Sequence, residues 1–187
     1  MRRLVSDVVK GLSVAAAVLI TLPSHAGGPF LSLGVPATAP MGARTLCRNI
    51  PFACRNIDGK VNDHETLMLL ADRTNREVNR NVIPTSDQEL YGTEEHWAVA
   101  VFSGDCEDYA LAKKEKLLKL GVGSDRLLMA TVLDLDRNHH AVLILRTERG
   151  DYVLDNLIDE IKYWGDTGYI FLRIQLPLDK KQWRSVF

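Results

Sequence analysis

The chain has 187 residues, 46% of them hydrophobic, with 23 Lys and Arg against 24 Asp and Glu for a formal net charge of −1. That length and apolar content suit one domain with a proper hydrophobic core, large enough to be an enzyme. The lack of a basic excess argues against nucleic acid as a partner.

Residues 1–26 stand apart from that domain. Arg2, Arg3 and Lys10 make a basic start, Leu12 to Leu22 is apolar, and Ser24-His25-Ala26 puts small residues at the third and first positions before a cut. This is the pattern of a cleaved signal peptide, and its apolar run is short of the ~20 residues that span a bilayer. No later segment is apolar enough to span. The chain is therefore expected in the periplasm or outside the cell, with no stable membrane span after cleavage. Loss of Arg2, Arg3, Lys10 and Asp7 leaves 20 Lys and Arg against 23 Asp and Glu, a net of −3. In an oxidising compartment Cys47 and Cys54 could close a small disulfide loop, leaving Cys106 as the odd thiol. A metal site on Cys47 and Cys54 lacks a nearby His or Cys pair to complete four ligands.

Gly27 to about Pro51 is rich in Gly, Pro, Ala, Ser and Thr with little periodicity, so residues 27–62 read as an extended N-terminal arm that adds little core. The domain proper is placed at 63–187. Leu67, Leu70, Ala71, Thr74 and Val78 at helical spacing predict a helix from about Asp63 to Val78, capped by Asn62 or Asp63. Asn79 to Gly92 reads as loop with a short turn of helix, and Glu94 to Phe102 leads into Gly104-Asp105-Cys106-Glu107-Asp108-Tyr109. A second helix begins there. Asp105 is a good N-cap, Glu107 and Asp108 suit the positive end of the dipole, Ala110, Leu111, Ala112, Leu117, Leu118 and Leu120 supply an apolar face, and Gly121 ends the run. The basic clusters Lys113-Lys114-Glu115-Lys116 and Lys180-Lys181 read as solvated faces. Beyond Gly121 the pattern turns strand-like, over Leu127 to Leu135, His140 to Arg146, Asp151 to Asp155 and Tyr169 to Leu176, with turn signals between. Helices first and an antiparallel sheet second make an α+β domain.

The chemistry concentrates at Cys106. Near the first helical position its sulfur lies close to unpaired backbone N–H groups, which favour thiolate. Three neighbouring carboxylates oppose this unless an imidazolium or a bound cation offsets them. A lone cysteine is more often a small buried hydrophobe; what shifts the balance is a histidine and an aspartate downstream. His139 and His140 open the second strand, and alternation turns only one of them toward the thiol. Asp155 closes the third strand, where a carboxylate can fix the tautomer of a base histidine. A two-residue turn at Arg149-Gly150 would pair Ile144 with Asp155 and leave His140 roughly 13 Å along the ladder. Either a twist, bulge or longer loop closes that gap, or Asp159 is the partner of His140.

The pieces Val78-Asn79-Arg80-Asn81-Val82-Ile83-Pro84, Tyr91-Gly92, Trp97, Gly104 to Ala110, His140-Ala141-Val142-Leu143 and Gly150 to Asn156 together resemble the bacterial transglutaminase-like cysteine peptidases, within the wider transglutaminase and papain-like group. Trp164, Thr167, Tyr169, Arg173, Gln175 and Trp183 extend the resemblance over nearly all of the chain after residue 26. It implies a papain/transglutaminase-like fold with Cys106 as nucleophile, His140 as base and Asp155 as orienting acid. It further implies calcium, held partly by Asp105 and Glu107, although Ca²⁺ takes ~6–8 oxygens. The chain departs from the family by lacking the usual proline after Trp97, by Phe102-Ser103 where glycine is common, and by Leu176 after Gln175 where serine is usual.

The resulting expectation is an exported cysteine peptidase acting on a protein or peptide of the cell envelope through a Cys106 acyl-enzyme, with no organic cofactor. The oxyanion would be held by the Cys106 backbone N–H and a donor from the preceding loop, with Trp97 a candidate. Acyl transfer of the transglutaminase or glutamine-deamidase type, and a non-catalytic peptide-binding module, are the alternatives.

Overall fold

In the computed structural model, residues 28–187 are described; the proposed signal peptide at 1–26 lies outside them. The elements in chain order are β1 (Leu33–Ala37), a short α1 (Leu46–Asn49), α2 (His64–Asn81), β2 (Ile83–Pro84), α3 (Asp87–Tyr91), β3 (Ser103–Gly104), α4 (Cys106–Lys119), β4 (Leu127–Leu133), β5 (His139–Thr147), β6 (Gly150–Leu154), β7 (Lys162–Tyr163), β8 (Ile170–Gln175) and β9 (Trp183–Val186). Helix α2 starts where Asp63 accepts the Thr66 N–H at 2.8 Å, as a good N-cap should. The turn of helix expected between Asn79 and Gly92 is α3, closed at its start by a reciprocal Ser86–Glu89 capping box.

The sheet has seven strands rather than the four legible in sequence, in the order β1-β9-β8-β4-β5-β6-β7, with antiparallel pairs throughout. The additions, β1, β7 and β9, are short and lack the apolar runs that mark a strand in sequence. One face of the sheet, through Leu127, Met129, Leu143, Leu145 and Leu154, packs with Leu67 and Ala71 of α2 and Ala110, Leu111 and Leu117 of α4. Val132, Val142, Ile144, Phe171 and Ile174 form a second apolar cluster with Leu31. Among the described residues no helix is long and apolar enough to cross a membrane.

Three expectations need correction. The described part of the expected arm, residues 28–62, contributes substantially to the core: Ala43, Leu46, Ile50 and Ala53 are buried in the main cluster, and β1 pairs with β9. Small residues and short helical turns gave that segment no period to read. Cys47 and Cys54 form a disulfide within it. Second, Lys113, Lys114 and Lys180 are buried rather than solvated. Lys114 Nζ donates to the Ala53 carbonyl at 2.9 Å and to Gln175 Oε1 at 3.1 Å, and Lys180 Nζ donates to Asn56 Oδ1 and the Pro177 carbonyl, each at 2.8 Å. Carbonyl and amide oxygens, invisible as partners in sequence, accept these ammonium groups.

The third correction is the hairpin register. Thr147 pairs with Gly150 and Leu143 with Leu154, so the turn residues are Glu148 and Arg149. Gly150 has φ +142, and a Cβ there would lie 2.4 Å from the Pro29 carbonyl oxygen, so the strand begins at a residue only glycine fills well. The shift brings Asp155 two residues closer to His140 along the ladder. The offset falls to two residues, roughly 7 Å, which two facing side chains span.

Candidate active site

Cys106, the free cysteine of the described residues, heads α4 and is half-buried. It lines a cleft of about 370 Å³ with His139, His140, Trp97, Glu95 and Arg173, and with Pro40 and Met41 of the N-terminal segment. Its Sγ accepts the Ala141 backbone N–H at 3.3 Å and donates to Glu107 Oε2 at 3.2 Å. Burial and then the Glu107 charge push the thiol well above its usual range, and the Ala141 N–H opposes them.

His140 is buried and His139 exposed. His140 Nε2 lies 2.8 Å from Asp155 Oδ1. The same oxygen accepts the Leu157 N–H at 2.9 Å, and Oδ2 accepts the Tyr169 hydroxyl at 2.6 Å. Burial works to raise the Asp155 carboxyl, but the hydrogen bonds from His140 and Tyr169 and the His140 charge outweigh it and hold the group below its ordinary value. Asp159 sits elsewhere: its Oδ1 accepts from Asn79 Nδ2 at 3.0 Å. The same Asn79 amide donates to the Asp155 carbonyl at 2.9 Å, tying α2 to the turn that carries Asp155.

The acids beside the thiol are arranged unlike a simple cap. Asp105 occupies the N-cap position of α4 but makes no capping hydrogen bond. One carboxylate oxygen each of Asp87, Asp105 and Asp108 can come within 4.8 Å of the others. The two-stranded parallel pairing of β2 with β3, with the Thr85 N–H on the Gly104 carbonyl at 3.0 Å, brings the start of α3 to this place. Asp87 accepts the His96 N–H, and Asp108 Oδ1 accepts the Ala98 N–H at 2.7 Å. Asp87 Oδ1, Asp105 Oδ1 and Asp108 Oδ2 are buried without a hydrogen-bond partner. Orphaned carboxylate oxygens converging from separate segments fit a hard, oxygen-seeking cation. Burial and then the Asp105 charge push Glu107 up to about 9, while burial is the main cause that takes Asp108 to about 7. Asp105, also raised, belongs to a second grouping with Cys106 and Glu107.

The resemblance pointed to Asp105 and Glu107 for a cation, and did not single out Asp87 and Asp108, which the structure groups with Asp105. Asp108 was visible in the Asp105-Cys106-Glu107-Asp108 run, whereas Asp87, 18 residues before Asp105, carried no signal beyond its place in a helix start. Trp97 Nε1 donates to Glu95 Oε2 at 3.3 Å.

The sequence model of the family described as bacterial transglutaminase-like cysteine proteinase matches residues 33–187. No curated protein matches the chain. Among solved structures, Legionella pneumophila LapG in its calcium-bound form is similar at 22% identity and a TM-score of 0.50, over 59% of this chain and 68% of that one. LapG of the same organism also matches at 23% identity and a TM-score of 0.50, over 58% of this chain and 64% of that one. Its EGTA-treated form matches at 22% identity and 0.50, over 58% and 62%. These likenesses are of fold, and the mixed helical and antiparallel architecture is shared. With the family pattern running from β1 to the last residue, the chain belongs to the bacterial transglutaminase-like cysteine proteinases.

Proposed function

We propose that this chain is an exported peptidase that cleaves a protein of the cell envelope through a Cys106 acyl-enzyme. The observation that carries the reading is the buried 2.8 Å contact of His140 with Asp155 at the cleft that also holds the free thiol. Asp155 fixes the imidazole with Nε2 toward itself, leaving Nδ1 for proton transfer. His140 takes the Cys106 proton, the thiolate adds to the peptide carbonyl, and the C–N bond breaks as His140 returns the proton to the leaving amine. Water, deprotonated by His140, then hydrolyses the thioester. The Cys106 backbone N–H at the head of α4 supports the developing oxyanion. Trp97 can join it once Glu95 releases the indole N–H.

Calcium is part of the proposal, since a related fold is known in a calcium-bound form and the buried, unpartnered oxygens of Asp87, Asp105 and Asp108 fit it. Glu107 stands beside that cluster. Bound there, the ion would supply positive charge that offsets the carboxylates crowding the sulfur. The chain's own residues do the rest: Asp87 and Asp108 hold the backbone of His96 and Ala98, and so set the wall that carries Glu95 and Trp97.

The test is a mass-spectrometric comparison of cell-envelope proteins incubated with the chain lacking residues 1–26, or with its Cys106→Ala variant, in calcium. New N-termini that depend on Cys106 support the peptidase. Gln-to-Lys links or deamidated glutamines without new termini would replace it with acyl transfer, and no Cys106-dependent change at all would favour a binding module.

A further inference from the structure

Asp155 is buried at the end of β6, and each of its oxygens is engaged. Oδ1 takes His140 Nε2 and the Leu157 N–H, while Oδ2 takes the Tyr169 hydroxyl. A carboxylate can turn about its Cβ–Cγ bond, and the His140 contact alone does not fix that rotation. The Tyr169 bond, on the other oxygen, does. We propose that Tyr169 is the positioning residue of this site, its hydroxyl holding the Asp155 carboxylate with Oδ1 turned to His140. The inference rests on the Cys106, His140 and Asp155 reading above and gives it a fourth member.

The surroundings show that Tyr169 is itself held for this task. It follows a 3₁₀ turn at Trp164–Asp166 and precedes β8. Thr167 Oγ1 donates to the Trp164 carbonyl at 2.8 Å and accepts the Tyr169 N–H at 3.2 Å, and Gly168 between them has φ +72, which reverses the chain. The Tyr169 ring stands edge-on to the His140 ring, at 86° and 6.1 Å between centroids. One side chain therefore restrains both partners, the imidazole by its ring and the carboxylate by its hydroxyl. Burial and the bond to Asp155 push the Tyr169 phenol well above its usual range, so it stays a donor wherever the site functions.

The groups that face Asp155 are known from each side. His140 comes from β5, Tyr169 from the turn before β8, and Lys113 of α4, buried and electrically linked to Asp155 and Asp159, from the helix beneath. Asp134, in the β4–β5 turn, acts on Tyr169. Of these, only Tyr169 gives Oδ2 a hydrogen bond. Removing it leaves a buried charged oxygen without a partner, which makes the carboxylate easier to protonate.

The Asp155 side-chain carboxyl ¹³C resonance, assigned with Asp155→Asn, reads this directly. In the chain lacking residues 1–26, Tyr169→Phe is expected to raise the Asp155 titration midpoint by about one pH unit, the size of one hydrogen bond to a charged group. Placing 3-fluorotyrosine at 169 by suppression makes the phenol a stronger donor and should move the midpoint the other way. A ring that merely fills space would respond to neither change of hydroxyl. Midpoints of Tyr169→Phe and of the fluorinated chain equal to wild type would overturn the proposal. Should Tyr169→Phe fail to fold, the fluorinated chain, which keeps every atom of the tyrosine but one hydrogen, decides alone. The readout needs no turnover, so a chain whose Cys106→Ala variant still cleaves would sink the peptidase reading while leaving the Asp155 titration as a separate result.

Discussion

The oddest residue of the site is Glu107, because its carboxyl group accepts a hydrogen bond from the Cys106 thiol while burial and the neighbouring Asp105 push it up to about 9. A thiol donating to a carboxylate is not a nucleophile. In the mechanism proposed above this is a resting geometry, from which His140 would carry the step to thiolate. Replacing His140 by Ala should lower kcat/KM by ~10²–10⁴-fold, the usual weight of a positioned proton carrier, on whichever substrate yields Cys106-dependent termini. The fold should persist, since His140 is at a strand end with its backbone pairing to Val132 intact; an unaltered rate would remove His140 from the mechanism. These residues stood out as candidates in the sequence because few chemistries want a lone thiol, a histidine and an aspartate together. Their contact was not. It depended on whether Arg149-Gly150 or Glu148-Arg149 formed the turn, and the residue that opens β6 is Gly150, at φ +142 and with no room for a Cβ beside the carbonyl of Pro29, 121 residues earlier.

Among the elements, α4 shows how far a helix can depart from its pattern. Its two central lysines look solvated in sequence, yet Lys114 is 0% exposed and tethers the disulfide-closed segment through the Ala53 carbonyl. Burial takes its ammonium down to about 7 from 10.5. Below pH 7 both folded and unfolded chains hold the proton, and the folded state bears the full penalty of a buried charge. Between pH 7 and 10.5 the unfolded chain still holds a proton that the folded one has released, so stability rises with pH. From pH 7.5 to 9.5 the wild type should gain about 2 kcal/mol in urea unfolding relative to Lys114→Met, which has nothing to titrate there. Parallel curves for the two proteins would show that Lys114 stays charged. The same tether makes the Cys47–Cys54 link matter beyond its own loop. Opening it with Cys47→Ser and Cys54→Ser together should cost about 2 kcal/mol of unfolding free energy, read from the urea midpoint with the wild type alongside. A variant as stable as the wild type would mean that Lys114 and the buried Leu46 and Ala53 hold the segment without it. Long helices and apolar strands were readable because period dominates there; buried lysines and short strands were not, because their partners are backbone carbonyls from remote segments.

Across the whole molecule, the acid cluster is where separate parts of the chain are forced together. Asp87 arrives through the pairing of β2 with β3, Asp105 and Asp108 sit at the start of α4, and both Asp87 and Asp108 grip the extended segment that carries Glu95 and Trp97 to the cleft. Like charges so close, with three buried oxygens left unpaired, oppose the fold that assembles them. A cation bound to the folded chain and not to the unfolded one reverses that opposition, stabilising by about 2.7 kcal/mol at a concentration one hundred times its Kd. The melting temperature should therefore rise when calcium replaces EGTA, and magnesium, which keeps its waters and asks for a tighter octahedron, should do less. Asp87→Asn is the informative variant. It stands far from the thiol in sequence, so loss of the calcium-dependent rise in that variant would tie the ion to the three-aspartate cluster, whereas a full rise in Asp87→Asn together with none in Glu107→Gln would move the ion to the Asp105 and Glu107 pair beside the sulfur.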